Sequence, residues 1–153
     1  MKRCILLIVF FLAASVTTVV AQKLVYNEKA PQLQVSEFIV PGQMLNNKSL
    51  CIDFLVLDSQ GVEEQLERLN DFAERYKGEI SFIVVAKDDK EKVQNFFAGK
   101  NPAYMVAVDD EGETFEAYDV RYVPMTVLLD KKGIFVWQGR ASQLTDDLLN
   151  RYR

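Results

Sequence analysis

The sequence predicts an α/β protein, a central mixed β-sheet flanked by helices, on three observations. Between residues 50 and 120, short apolar runs alternate with segments of helical period, which implies parallel strands joined by crossover helices. The run "LCIDFLVL" (Leu50–Leu57) is apolar apart from Asp53, as in a central strand covered on both faces. Near the C-terminus two apolar runs flank "DKKG", the mark of a hairpin and so of an antiparallel edge.

The chain opens on "MKRCILLIVFFLAASVTTVVAQ", a basic start followed by an apolar run and small residues ending Val19–Val20–Ala21. Residues 1–21 therefore read as a secretory signal peptide cut after Ala21. The competing reading is a retained anchor, since the run is nearly long enough to span a bilayer. Ser15, Thr17 and Thr18 thin its apolar character, and Cys4 precedes the run, unlike a lipoprotein cysteine. Residues 22–30 read as an extended polar lead-in and residues 31–153 as one domain.

Within that domain, "PQLQVSEFIV" (Pro31–Val40) alternates Leu33, Val35 and Phe38 with polar residues, as a half-buried strand does. "PGQMLNNKS" is a loop by its punctuation. After the central run, Val62, Leu66, Leu69, Ala73 and Tyr76 recur at helical spacing. Glu64–Arg68 and Asp71–Arg75 are acid-first i,i+4 pairs on the same helix, which Gly78 ends. "EISFIVVAKDD" is the next strand and "KEKVQNFFAGK" a short helix. "AYMVAVDDEG" is strand then turn, and "ETFEAYDV" a further short helical segment. Strands over Thr126–Leu129 and Ile134–Gln138 make the hairpin. "SQLTDDLLNRYR" is a helix capped by Ser142, with Leu144, Leu148 and Tyr152 on one side.

Composition narrows the chemistry. With 49% apolar and 26% charged residues in 153, the chain can bury one ordinary core. The formal charge is −4, and loss of Lys2 and Arg3 with the signal makes it −6, so nucleic acid is not an expected partner. There is no histidine, and beyond Cys4 the one cysteine is Cys51. A Ser-His-Asp triad, a Cys-His pair, a Cys/His zinc site and a disulfide within the exported chain are thereby excluded. No cofactor or metal is expected: "DDEGE" (Asp109–Glu113) lacks the alternating spacing of a calcium loop, and like "KDDKEK" it reads as a solvated turn.

The order of elements resembles the thioredoxin-like fold, and more narrowly the TlpA/ResA-type exported thiol–disulfide oxidoreductases. "APQLQVSEFI" resembles that family's opening hairpin, an N-terminal extension of the sheet. "CIDFLVLDSQGVEEQLERLNDF" resembles its strand, active-site loop and first helix. "YDVRYVPMTVLLDKKGIFVWQGR" resembles its segment around a cis-proline, which would be Pro124. The departure lies at the redox pair: Ser59 and Val62 stand where the two cysteines of Cys-x-x-Cys belong. Ser59, Gln60, Gly61 and Val62 are thus a degenerate active site. Thiol–disulfide exchange needs an attacking thiolate and a resolving thiol, and this loop holds neither.

Several residues keep two readings. Ser59 is a hydroxyl at a helix start, either holding a bound thiolate as in some glutathione transferases or acting near the N-cap. Asp53 stands at the position of the family's buried carboxyl, as a general acid or base or as a retained structural group. Cys51 is a single-cysteine redox group or a buried small hydrophobe. Around Pro124, the resemblance implies that the backbone of Val123 meets an extended peptide, with Tyr122, Met125, Gln60 and Val62 as walls. The expected function is that of an exported, redox-inactive thioredoxin-like protein, periplasmic or secreted. It binds a protein or peptide of the cell envelope at the cis-Pro groove, with no membrane attachment once the signal is cut. The alternatives are single-cysteine chemistry through Cys51, and a purely structural module.

Overall fold

The computed structural model describes residues 23–153, so the expected signal peptide, with Cys4, lies outside the described residues. Six strands form one mixed sheet: β1 (Glu37–Val40), β2 (Ser49–Leu55), β3 (Ile80–Ala86), β4 (Met105–Val108), β5 (Met125–Leu129) and β6 (Phe135–Gly139). Their spatial order is β1-β4-β3-β2-β5-β6. Strands β2, β3 and β4 run parallel, while β1, β5 and β6 add antiparallel neighbours at the two sides. The central strand is the apolar run expected, and every side chain of β3 is buried as well.

Helices α1 (Val62–Arg75), α2 (Lys90–Phe97), α3 (Glu113–Ala117) and α4 (Asp146–Tyr152) follow the strands in the expected order. Alternation along β2 divides the interior into two cores. Cys51 and Leu55 join Leu66, Leu69, Val93, Phe97 and Leu149 under α1, α2 and α4. Ile52 and Phe54 join Phe115, Tyr118 and Phe135 on the opposite face, beneath α3. Phe54 lies edge-on to Phe115 at 5.2 Å, so the two halves of that core meet through aromatic packing.

Three local expectations change. The N-terminal extension joins the sheet as the single strand β1, antiparallel to β4. Leu33 and Val35 pack inward as expected, but Phe38 is 41% exposed and its neighbour Ile39 turns in. The register shift between Phe38 and Val40 against β4 breaks the simple alternation there. The segment before Pro31 is also bound to the fold. Asn27 donates to Phe135 O, Phe135 to Glu28 O and Ala30 to Gly133 O, which lays the segment along the start of β6. Finally, Ser142 does not cap the last helix. It sits in a 3-10 turn (Ala141–Gln143), and Thr145 Oγ1 accepts from Leu148 N at 3.2 Å.

Of the two charge pairs anticipated on α1, Asp71–Arg75 forms at 3.0 Å, and Arg75 also reaches Asp146 on α4. Arg68 instead crosses to the 3-10 turn, donating through Nε to Ala141 O at 2.8 Å. A cationic side chain on α1 thereby holds carbonyls that precede α4. In the hairpin turn, Asp130 Oδ1 accepts from Lys132 N and Ile134 N, and Gly133 takes φ 78°, which a side chain would strain.

Reassignment of the cap is checked by equilibrium urea unfolding of two variants. Thr145→Ala should cost about 1 kcal/mol, the usual worth of an N-cap, whereas Ser142→Ala should stay within about 0.5 kcal/mol. The reverse ranking would restore Ser142 as the cap.

Candidate functional site

Strand β2 delivers the chain to the junction with α1, where the sequence places its degenerate motif. Ser59 N donates to Val56 O at 2.9 Å, turning the loop. Gly61 takes φ 81° as the residue before α1, a left-handed conformation suited to glycine. No side chain caps the helix, so the serine that could have capped it does not: Ser59 lies two residues too early. Its hydroxyl makes no hydrogen bond among the described residues.

The loop is held from outside the motif. Leu57 N donates to Asp88 Oδ2 at 2.8 Å, and Lys92 Nζ bridges Asp58 Oδ2 at 2.7 Å and Asp88 Oδ1 at 2.6 Å. Hydrogen bonds donated to Asp58 and Asp88 push the pKa of the Lys92 ammonium up to about 12. Asp58 therefore anchors the loop to α2 by charge.

Behind the loop lies a buried polar knot. Asp53 is fully buried in β2, paired in register with Thr126 of β5. Its Oδ1 accepts from Thr126 Oγ1 and from Gln65 Nε2, each at 2.6 Å. Gln65 Nε2 also lies 3.1 Å from Thr126 Oγ1, and Gln65 Oε1 accepts from Ala141 N at 3.2 Å. Oδ2 of Asp53 is buried with no partner. Burial raises the carboxyl to about 7, with the bonds from Thr126 and Gln65 offsetting part of that rise.

Cys51, two residues earlier and on the same face, is fully buried and unpaired. Burial, with Asp53 nearby, pushes its thiol well above the usual range. A thiol kept protonated and out of solvent is a poor nucleophile.

The Val123–Pro124 peptide is cis, as the resemblance implies. Pro124 faces Gln60 and Gly61 across a pocket of about 110 Å³, closed by Glu64, Gln65, Arg68, Arg140 and Ser142. Tyr122 is 44% exposed and Val123 half-buried. Neither the N–H nor the C=O of Val123 has a hydrogen-bond partner among the described residues. Met125 and Val62 are buried, so of the anticipated walls only Tyr122 and Gln60 face outward.

Sequence reading passed over Gln65, Thr126, Arg68 and Arg140. For Gln65 the signal was present: it lies three residues after Val62, on the stripe that α1 buries, where a polar side chain needs a partner. Thr126 is the only polar residue of β5. Arg68 read only as the partner of Glu64, and only the path of the chain after β6 brings Arg140 beside α1.

A mixed sheet whose cis-proline loop faces the start of the helix after its central strand defines a thioredoxin-like α/β protein. The family model described as thioredoxin-like matches residues 46–135, and the chain belongs to that family. Solved structures agree in fold. A thioredoxin-like protein in its oxidised form is 18% identical, with TM-score 0.68 over 82% of this chain and 95% of that one. A thiol-disulfide isomerase of Corynebacterium glutamicum is 18% identical, with TM-score 0.64 over 80% and 91%. The pneumococcal exposed lipoprotein thioredoxin of Streptococcus pneumoniae is 19% identical, with TM-score 0.61 over 70% and 84%. No curated protein matches the sequence.

The titration of Asp53 gives a pH signature. A carboxyl raised from 3.8 to about 7 favours the fold fully below pH 3.8 and loses that contribution as pH rises through about 7. The full span is on the order of 4 kcal/mol. Asp53→Asn should flatten that part of the stability profile, measured by urea unfolding across the range. An unchanged slope in the variant would assign the pH dependence to other groups.

Cys51 gives a second check. With Cys4→Ser, a colorimetric thiol reagent should find no reactive thiol in the native chain and one after unfolding. Fast reaction in the folded state would refute the inertness of Cys51.

Proposed function

We propose that this protein is an exported, redox-inactive member of the thioredoxin-like family that binds an extended protein or peptide segment beside Pro124. The observation that carries the reading is the unpartnered backbone of Val123. Among the described residues its N–H and C=O have no partner, at a half-buried position two residues before β5. Free main-chain groups of this kind are what an added strand engages. Tyr122 supplies an exposed ring next to them, and the pocket at Gln60, Arg140 and Ser142 can receive a side chain of the bound segment.

Loss of disulfide chemistry is the second half of the proposal. Ser59, Gln60 and Gly61 occupy the loop between central strand and helix, Val62 opens α1, and Cys51 lies in the core instead. Binding through main-chain groups needs no thiol and so outlasts that loss. An envelope location is supported by the N-terminal sequence and by the likeness in fold to an exposed lipoprotein thioredoxin.

The experiment is a screen of extended peptides against the purified chain and a Val123→Pro variant, with binding followed by fluorescence polarisation. Deleting one desolvated donor should weaken binding by about tenfold or more. Equal binding by both chains would remove Val123 from the site. In parallel, the wild-type chain should not accelerate insulin disulfide reduction by dithiothreitol; any catalysis would overturn the redox-inactive reading.

A further inference from the structure

The pocket beside Pro124 holds about 110 Å³, well below the size of a small-molecule site and suited to one short side chain. Its charged lining is Arg68, Arg140 and Glu64, two guanidinium groups against one carboxylate. That balance runs against the chain as a whole, whose formal charge is −4. We propose, resting on the peptide-binding reading above, that this pocket takes a carboxylate of the bound segment. The groove then selects extended peptides that carry an acid next to the residue paired with Val123.

The two arginines play different parts. Arg68 is spent on the chain itself: Nε donates to Ala141 O at 2.8 Å and Nη2 to Leu144 O at 3.4 Å. It fixes the turn and leaves its charge in the pocket wall. The Arg140 guanidinium has no acceptor and no ion pair among the described residues. Its backbone is nevertheless held on both sides, because Arg140 N donates to Gln143 Oε1 at 2.9 Å and Ala141 N to Gln65 Oε1 at 3.2 Å. A free planar fork on a fixed stem suits a carboxylate, which it meets through two parallel N–H···O bonds.

Glu64 is the opposing charge. It precedes Arg68 at the i,i+4 spacing of a helical ion pair, yet no such pair forms, since Arg68 turns to the carbonyls instead. Nor does Glu64 make an ion pair with Arg140. Gly61, the residue before α1, also lines the pocket, and no side chain caps that helix, so its positive end adds to the field. The pocket therefore favours an anion, with Glu64 lowering the preference without cancelling it.

The test titrates the full chain, labelled with ¹⁵N, with two pairs of threonine-rich peptides at neutral pH. The first pair is an end-capped heptapeptide with aspartate or asparagine at its centre. The second is the asparagine peptide truncated after that centre, as free acid or as amide. A shift of the Val123 amide reports strand pairing, and shifts at Gly61 and Arg140 report the pocket. The acid should bind about fivefold more tightly than its neutral counterpart, the upper worth of a partly exposed ion pair. Preference in the first pair assigns the pocket to acidic side chains, and preference in the second alone assigns it to chain ends; both uphold the carboxylate. Arg140→Gln should erase the preference while keeping the unfolding midpoint, and Glu64→Gln should widen it. Equal binding within both pairs, with Val123 still shifting, would overturn the carboxylate site and leave the groove standing. No shift at Val123 with any peptide would remove the groove, and the carboxylate site with it.

Discussion

The hydrogen bonds that converge on Asp53 Oδ1 are the constraint on which the rest of the site is built. A carboxyl in the middle of a buried strand is costly unless its oxygens are used. Here one oxygen takes two short bonds, from β5 and from α1, and the donor from α1 is itself fixed by the turn that precedes α4. Two separate pieces of chain therefore share a single acceptor, and a third is joined to it through Gln65. The position of α1 over the sheet, and with it the loop that faces Pro124, follows from that convergence.

Two charged networks at the periphery complete the arrangement. The Lys92 bridge fixes the loop on the side of α2, and Arg68 ties the middle of α1 to the carbonyls after β6. Both are partly exposed and individually weak, since solvent screens such pairs. Their geometric effect exceeds their energetic one, because each joins segments far apart in sequence. In a protein with a redox pair, the loop conformation would serve the thiols. On the proposed reading, with Ser59 and Val62 at those positions, the loop facing Pro124 shapes what can lie there rather than a reaction.

Much of the fold was legible because the apolar periods are strong. The central run around Asp53, the α1 stripe and the hairpin at "DKKG" each follow from local pattern alone, and the observed elements fall within a few residues of them. The N-terminal strand was read less well, since the register shift near Phe38 comes from pairing with β4, far along the chain. The helix cap was assigned to Ser142, but the chain makes a 3-10 turn there and the helix is capped three residues later by Thr145. At the site, Asp53 and Pro124 could be found from sequence because both sit within recognisable motifs. Arg140 and the pocket it lines could not, because that pocket exists only once separate segments are brought together.

The segment laid along the start of β6 has a consequence for where the folded unit begins. Hydrogen bonds from residues 27–30 occupy main-chain groups at the outer edge of the sheet, and Leu24 packs into the second core with its N–H on Ala117 O. An uncovered sheet edge is a template for pairing with another chain. Starting the chain at Pro31 would strip this selvage and leave the start of β6 open to self-association. Residues 24–30 thus act as a guard against aggregation, and a recombinant form that begins at Pro31 forgoes it.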